Sequence, residues 1–413
     1  MSNLVRANEP GDAVRVMIDF VARAWERTRD VNATLDDLAI VQGLARGAWA
    51  AQHSRWRAEA LRHAGCLDEA TALALNARKT FAALHDEFHE AQCLRLLGHI
   101  ASERGAPRGG RKLVAEARGM MSELQAEWGR AQCDVVLGEL DYLLGDHASA
   151  VERLENALGP LDRAQDILGR GQCLILLALI RMGQNDCERA RRHLIEARQG
   201  FDRIGYRLGT AQCDVALAHA DHRSGEIDSA RARAQNALAS FRMLGTPRGQ
   251  SGALRVMAMA AIDAGDLVDA EQRARDAREL YERIGDPWGL VESQLLLVQV
   301  SLAGGSPDAR ERLQSCDIST VQEHEPLQHW HLTHAWLACK EGRFEDALGH
   351  LEAAKQALQG GGLADHALQL TGRLALMPWP EALRPRVKQA LMTEADTVPP
   401  SFQFSRTARR SSS

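Results

Sequence analysis

A short signature returns along this chain every 40 residues. Ala-Gln-Cys or Gly-Gln-Cys ends at Cys93, Cys133, Cys173 and Cys213. Glycines and alanines recur in the same register, at Gly105, Gly145, Gly225, Gly265 and Gly305 and at Ala70, Ala150, Ala190, Ala230 and Ala270. A fixed period of this length is typical of a repeat array, in which each unit packs mainly on its neighbours. The 413 residues therefore predict one elongated array and not several independent domains.

Each unit is predicted to form two helices. In the unit that starts at Ala131, apolar residues follow a helical spacing up to Leu144, Gly145 interrupts it, and the spacing resumes from Ala150 to Leu161. An Asp after the turn glycine can cap the second helix by accepting a hydrogen bond from a free N–H group; the predicted caps are Asp146, Asp186 and Asp266. Aromatic residues make up only 5% of the chain, which disfavours an all-β fold.

The pattern Leu137-Gly138, Gly145-Asp146, Ala150 and Ala157 resembles the tetratricopeptide repeat. That repeat has about 34 residues, and we assign the about six additional residues here to a longer second helix. The resemblance implies an all-α solenoid, a right-handed superhelix of about eight helical hairpins. A last unit, shifted by three residues, fits around Gly342.

The repeat register also suggests boundaries along the chain. Capping helices are expected in residues 1–50, followed by the repeat array in 51–325. Residues 326–395 are expected to hold the last unit and the C-terminal capping helices. The Ser/Arg-rich segment 396–413 has no helical period and is predicted to be a disordered tail.

Charge and hydropathy exclude several classes of partner. The 50 basic and 55 acidic residues give a formal net charge of −5, so no overall positive field favours nucleic acid. The longest apolar run, 174–180, is far shorter than the roughly 20 residues that cross a bilayer. The N-terminus lacks the apolar stretch of a secretory signal. We therefore expect a cytoplasmic protein without a membrane or a specific nucleic-acid partner.

Several near-matches to enzyme motifs are explained by the repeat. The segment 105–112 resembles a phosphate-binding loop, but it forms a turn between helices and does not follow a strand. His85 and His89 nearly match a zinc-protease motif, yet both fall at turn positions. The four cysteines at the 40-residue spacing are expected to be small buried residues in a reducing compartment. No catalytic residues, cofactor or metal are predicted.

One histidine-rich segment leaves a metal-dependent enzyme as a minor alternative. Four histidines lie close together in sequence, at His324, His329, His331 and His334. His331 and His334 are three residues apart and could share one face of a helix. A polar face on a capping helix is the interpretation that we prefer.

The resemblance places the ligand on the first helix of each unit, at positions 2, 5, 9 and 12 counted from Ala131. The candidate binding residues are Gln92, Arg95, His99, Gln132, Val135, Glu139, Tyr142, Gln172, Ile175, Leu179, Gln212, Val215, His219 and Arg255. The central units are apolar, whereas the flanking units offer Arg and His. This pattern favours a short peptide or helix with hydrophobic anchors and acidic flanks. The glutamines could meet the main chain of that peptide, or they could bond within the protein.

The leading hypothesis is a non-catalytic protein- or peptide-binding scaffold or adaptor. Similar arrays form the sensory halves of bacterial signalling regulators, so the alternative is a stand-alone peptide-sensing regulator that has no output domain. The apolar part of the first helices could also be buried by tight winding of the superhelix or by a homodimer contact.

Overall fold

The structure, a computed structural model, describes residues 15–21, 31–41, 44–184, 186–319, 324–357 and 365–391. The predicted tail 396–413 lies outside the described residues. A helical segment at 15–21 is followed by a series of α-helices and one 3-10 helix, and no strand occurs in the described ranges.

The helices alternate between first and second members of hairpins. After α1 (Val31–Val41), the hairpins are α2 (Gly47–His63) with α3 (Leu67–Ala83), α4 (Glu87–Glu103) with α5 (Pro107–Glu123), α6 (Glu127–Leu143) with α7 (His147–Arg163), α8 (Ile167–Gly183) with α9 (Cys187–Ile204), α10 (Arg207–Arg223) with α11 (Ile227–Met243), α12 (Pro247–Ala264) with α13 (Leu267–Ile284), α14 (Pro287–Gly304) with the short α15 (Ala309–Gln314), and α16 (His324–Lys340) with α17 (Phe344–Gln356). Two further helices, α18 (Asp365–Ala375) and α19 (Arg384–Leu391), follow, with the 3-10 helix Glu381–Leu383 between them. The predicted all-α solenoid of about eight hairpins is confirmed.

The two helices of a unit have nearly equal lengths. Both α6 and α7 contain 17 residues, whereas α9 contains 18. The expectation that the additional residues lengthen only the second helix is therefore wrong. Both helices share the extension, because the apolar contact between two antiparallel helices is buried along its whole length only when their lengths match.

The predicted turn chemistry is present in the structure. Asp146, Asp186 and Asp266 each cap the second helix that follows them, accepting a hydrogen bond from the backbone N–H three residues later at 3.1–3.2 Å. Gly145 occupies a left-handed conformation with φ 81°. Gly205 and Gly285 end their helices in the same conformation, which glycine adopts without a Cβ penalty.

A large side chain near the end of each second helix packs on a glycine in the next first helix. The pairs repeat every 40 residues: Met121 on Gly129, Leu161 on Gly169, Phe201 on Gly209, Phe241 on Gly249 and Tyr281 on Gly289. A Cβ at Gly289 would lie 2.1 Å from Cδ1 of the Tyr281 ring. These glycines leave room for the neighbouring large side chain, because a Cβ would occupy part of its space.

We expect Gly289→Ala to lower the free energy of unfolding by about 2 kcal/mol, because overpacking displaces the Tyr281 ring. The measurement is urea unfolding, with hydrogen exchange of α13 and α14 to localise the effect. Gly119→Ala is the matched control, since a Cβ at Gly119 has no atom within 4 Å. The control is expected to keep or slightly raise the stability, because Ala is a better helix former than Gly. Equal losses in the two variants would contradict this account of the packing.

The array winds far enough for its early and late units to touch. A Cβ at Gly65, in the turn between α2 and α3, would lie 2.5 Å from Cγ2 of Ile284 at the end of α13. A Cβ at Gly105 would lie 2.5 Å from Cγ of Pro287. Between these contacts, Arg248 donates to the carbonyl oxygen of Glu103 at 3.1 Å. The solenoid therefore closes one superhelical coil on itself, and this closure brings distant first helices together.

Helix α18 packs across first helices of the late units. It packs on α16 and reaches α10, and Arg373 forms an ion pair with Asp263 at the end of α12. Arg373 also lies 5.0 Å above the ring of Trp336. Leu370 and Leu374 are buried in the hydrophobic core shared by α14, α16 and α17. α18 thus covers part of the surface that the first helices would otherwise expose.

Candidate functional site

The candidate site is the surface that the first helices present at repeat positions 2, 5, 9 and 12, here called the first-helix face. Each first helix also contacts the first helix of the next unit, so these side chains form one continuous layer. Exposure along this layer is uneven. Some of the predicted binding residues are buried and others form a partly accessible strip.

Three of the predicted binding residues lie in the interior. Val135 is packed in a hydrophobic cluster with Ala131 and Leu177, and His219 and Gln92 are also buried. These side chains offer little accessible surface in the structure. The cause is the close approach of neighbouring first helices, which the 40-residue pattern does not encode.

An accessible strip remains on α8 and α10. Gln172 is exposed, and Gln212 is half-buried one repeat later. Ile175, Leu179 and Val215 are half-buried and pack on the small residues of the layer beneath them. The strip therefore combines three apolar side chains with two amides, an arrangement that can bury apolar groups of a ligand and bond to its main chain.

Two further candidates beside the strip have partners within the protein. Gln132 donates to Oδ2 of Asp166, the cap of α8, at 3.2 Å. Tyr142 is half-buried and its ring stacks on His147 with 5.2 Å between the centroids. Gln132, one of the predicted glutamines, thus bonds within the protein, which was the alternative to bonding with the main chain of a peptide.

The predicted cationic flanks are largely neutralised. Arg255 lies 3.9 Å from the carboxylate of Glu292 and 3.5 Å from Nε2 of His219. Burial lowers the pKa of His219 well below its usual value, and the nearby Arg255 lowers it further. His222 is paired with Asp263 at 2.9 Å. The expected attraction for acidic flanks of a peptide is therefore not supported at this end, where the cations already have partners.

The Arg255 pair is one part of a buried network that links four first helices. Glu292 on α14 lies 2.9 Å from Nδ1 of His329 on α16, and both side chains are fully buried. His329 also contacts Gln299 through its Nε2. Together with His219 on α10 and Arg255 on α12, these residues connect the late units through polar contacts that are shielded from water. The sequence analysis did not find Glu292, since a single Glu in an apolar helix gives no local signal of its partner.

At the other end of the face, Glu139 carries a carboxylate that remains accessible. Its side chain is 38% exposed and lies 3.6 Å from Nδ1 of His99, which is mostly buried. Loss of hydration inside the coil raises the pKa of Glu139, and repulsion from Glu103 raises it further. Arg62 pairs with Glu103 and Glu59, so its charge is already matched. This end of the face therefore presents an acidic group to a ligand.

Glu103 and Arg248 were not among the predicted site residues. Glu103 lies one residue beyond the repeat positions considered, and Arg248 comes from the late coil. Arg248 pairs with Asp286 at 2.6 Å and bonds to the backbone of Glu103. Arg248 reaches Glu103 only because the coil closes on itself, and no sequence spacing predicts this contact. Arg95, the remaining predicted cation, is half-buried on α4.

The histidine-rich segment is divided between two faces of α16. His329 points to Glu292, whereas His331 and His334 meet His350 of α17. His331 and His350 lie 3.2 Å apart through their Nδ1 atoms, and burial lowers the pKa of His334 to about 4. The side chain of His324 lies outside the described residues. Within the described ranges, no group of three or more His, Cys, Asp or Glu side chains could hold a metal ion.

The repeated cysteines lie inside the array. Cys93, Cys133, Cys173 and Cys213 are buried and unbridged. Burial raises the pKa of Cys93 and of Cys173 to about 12, which keeps both thiols protonated near neutral pH. They serve as small packing residues, because a protonated buried thiol is a poor nucleophile.

Comparison with known proteins identifies the fold. No protein-family model matches the chain, and no curated protein matches its sequence. Among solved structures, a Rap protein in complex with competence and sporulation factor aligns with a TM-score of 0.55 and 12% identity, covering 92% of this chain and all of the other. Aspartyl phosphate phosphatase F from Bacillus subtilis aligns with a TM-score of 0.50 and 14% identity, covering 84% of this chain and 95% of that one.

Hydropathy adds one observation about the helices. In the parts of the chain that the structure describes, no helix combines the length and the apolar character needed to cross a membrane. The 40-residue period, the paired helices and the shared architecture of the two solved structures agree with one another. In its fold, this chain is a tetratricopeptide-type helical repeat protein.

Proposed function

We propose that the chain is a non-catalytic scaffold that binds a protein or peptide on the first-helix face. The observation that carries this proposal is the strip on α8 and α10. Ile175, Leu179 and Val215 are partly accessible, although the apolar Val135 and Met259 at equivalent positions in other units are buried. Accessible apolar side chains on an otherwise close-packed layer are typical of a binding surface.

The polar groups along the face indicate the character of the partner. Gln172 and Gln212 flank the apolar strip and provide both donors and acceptors for a peptide main chain. Glu139 lies one repeat earlier beside His99 and is 38% exposed, whereas Arg255 and His222 are almost closed to solvent beside their carboxylate partners. A hydrophobic segment that carries a basic residue fits this arrangement better than the acidic segment expected from the sequence.

The protein chemistry of the described residues supports a non-catalytic role. Burial raises the pKa of the cysteines at the repeat positions, and burial lowers the pKa of His331 and of His334, whose imidazoles contact His350. Neither arrangement supplies an activated nucleophile with an adjacent base.

A ligand-responsive regulator is the second candidate. The solved Rap protein, which covers almost the whole of this chain with the same fold, was determined in complex with competence and sporulation factor. An array of this architecture therefore accommodates a ligand. A regulator would differ from a passive scaffold in changing its conformation on binding, and hydrogen exchange with and without the ligand distinguishes the two.

Peptide display tests the proposed face. We expect the immobilised protein to enrich peptides with apolar anchors and a basic residue. The variant Leu179→Asp/Val215→Asp should lose at least about tenfold in affinity for them, since it places charges in the apolar strip. The control variant is Leu75→Asp, at an exposed apolar residue on the second helix α3. Titration by fluorescence anisotropy measures each affinity.

That comparison decides whether the ligand binds on the first-helix face. Equal affinities of the strip variant and the wild type, with both proteins folded by circular dichroism, would place the ligand elsewhere. Glu139→Gln adds a second check. It should weaken peptides with a basic residue by several fold and leave neutral peptides unchanged, because only the former lose an ionic contact.

A further inference from the structure

The segment that follows the last described helix carries the chemistry of the ligand inferred for the first-helix face. It comprises residues 392–413, and its part from 397 onward contains three arginines and no acidic residue. Phe402 and Phe404 precede Arg406 at intervals of two residues. Two aromatic anchors followed by a basic group match a surface that offers an apolar strip and then a carboxylate. The chain therefore contains a candidate occupant of its own face.

The spacing of these three residues fits the spacing of the face. In an extended segment every second side chain lies on the same side, with about 7 Å between them. Val215, Leu179 and Glu139 lie on α10, α8 and α6, which are successive first helices in contact with one another. Neighbouring packed helices are about 8–10 Å apart, and the long side chain of an arginine covers the remaining difference. An extended Phe-x-Phe-x-Arg sequence thus matches two apolar sites and one acidic site in that order.

The described C-terminal helices lead the chain toward the α10 end of the strip. α18 packs against α10, and Arg373 on α18 forms an ion pair with Asp263 at the end of α12. α19 packs on α18 in turn, so the contacts α19–α18–α10 connect the end of the described chain with the strip. The ten residues 392–401 can extend to about 33 Å, which exceeds two helix spacings of about 8–10 Å each. Phe402 can therefore reach α10, and the residues after it then run toward α8 and α6.

Two prolines lower the cost of binding in an extended form. Pro399 and Pro400 stand just before the aromatic pair. Consecutive prolines favour an extended polyproline conformation and exclude a continuous helix through this point. A segment that already favours the bound conformation loses less entropy when it is ordered on a surface.

Charge favours the orientation with Arg406 on α6. The Glu139 side chain is 38% exposed there. Burial raises the pKa of Glu139, and repulsion from Glu103 raises it further. A guanidinium beside this carboxylate offsets both effects, because a nearby opposite charge stabilises the ionised form. The reverse orientation would place the arginine on the apolar side chains of α10.

We propose that residues 402–406 occupy the apolar strip of the same molecule, with Phe402 on α10, Phe404 on α8 and Arg406 beside Glu139. This inference rests on the proposed function, because it assigns an internal occupant to the ligand face. A tethered segment acts at an effective concentration in the millimolar range, so a contact of modest affinity keeps the face filled. An incoming peptide must displace the segment, which therefore acts as an autoinhibitor of ligand binding.

The test uses the whole chain with Phe402→Ala/Phe404→Ala, here called the open variant. The probe is a fluorescein-labelled peptide of residues 398–410, titrated by fluorescence anisotropy. The open variant should bind it at least about tenfold more tightly than the wild type, whose tethered segment competes with the probe. Gln403→Ala/Ser405→Ala is the matched control, because these side chains lie on the opposite side of an extended segment. The control should bind the probe as weakly as the wild type does.

Two further substitutions locate the contact on the face. Leu179→Asp/Val215→Asp, added to the open variant, should weaken the probe at least about tenfold, because it places charges under the aromatic rings. A probe with Arg406→Gln should bind the open variant several fold more weakly than the unchanged probe. Adding Glu139→Gln to the open variant should remove that difference, since the effects of two residues in contact are not additive.

The proposal has clear contrary results. Equal probe affinities of the wild type and the open variant, both folded by circular dichroism, would overturn it, and so would an open variant that does not bind the probe. Sedimentation velocity should show the wild type and the open variant in the same state. A wild-type dimer that dissociates in the open variant would mean that the segment binds a second copy, which would also overturn the proposal.

The proposed function is judged separately by peptide display on the open variant. Displayed peptides that bind the strip, while the 398–410 probe does not, would overturn the autoinhibitory segment and leave the proposed function intact. Binding of the probe to the strip, with no displayed peptide enriched, would overturn the external ligand and leave the autoinhibitory segment intact. Absence of both kinds of binding would overturn both.

Discussion

Glu292→Ala is expected to lower the free energy of unfolding by about 3–5 kcal/mol, the range for breaking a buried ion pair by removing one partner. The carboxylate is fully buried, 2.9 Å from His329 and 3.9 Å from Arg255. Without it, the charge of Arg255 remains in a site that is mostly closed to water. Urea unfolding followed by circular dichroism gives the loss, and hydrogen exchange of α12, α14 and α16 shows where it falls.

The comparison with Glu292→Gln separates charge from shape. The amide has nearly the same volume and can still bond to His329, so this variant should recover part of the loss. Glu188→Ala, at an exposed position on α9, serves as the surface control and should change the stability by less than about 0.5 kcal/mol. A loss below about 1 kcal/mol for Glu292→Ala would show that the network contributes little to stability.

Gly65→Ala should lower the free energy of unfolding by about 2–4 kcal/mol, because two costs add at this position. The backbone has φ 82°, a left-handed conformation that costs an L-residue about 1–2 kcal/mol. The new methyl group would also lie 2.5 Å from Cγ2 of Ile284, so the early and late units of the coil must move apart. Exchange protection at the end of α13 should fall together with that of α2 and α3.

Gly225→Ala provides a matched control for the backbone term. Gly225 occupies the same turn position with φ 79°, but a Cβ there meets no atom within 4 Å. Its loss should therefore be limited to about 1–2 kcal/mol. The difference between the losses of unfolding free energy in the two variants measures the contact between the early and late units. Equal losses would mean that closure of the coil does not depend on the Gly65 turn.

The hairpins, their number and their turns could be predicted from the sequence because these features depend on near neighbours. The caps formed by Asp146 and Asp266 act on N–H groups three residues away, and Gly145 and Gly265 provide the left-handed turns before them. The repeat spacing also indicated correctly that a solenoid forms. The assignment of all the additional length to the second helix failed, because the period alone cannot divide 40 residues between two helices.

The candidate site was harder to predict, because its exposure depends on contacts between units. Ile175 and Val215 remain partly accessible, whereas Val135 at the same repeat position is buried. The charges depended on tertiary contacts as well. Arg255 was expected to attract an acidic ligand, but Glu292 lies beside it on the next first helix. No spacing within one unit could indicate that pairing.

The sequence by itself determined the repeating unit, since a 40-residue period, its glycine turns and its capping aspartates act over a few residues at a time. The tertiary structure decided which equivalent residues are accessible. Leu84 and Leu244 occupy the same place in their repeats, yet Leu84 is exposed and Leu244 is buried. The reason is geometric: a small rotation between neighbouring units accumulates along the array. Whether two distant units meet depends on that sum, and no single repeat contains it.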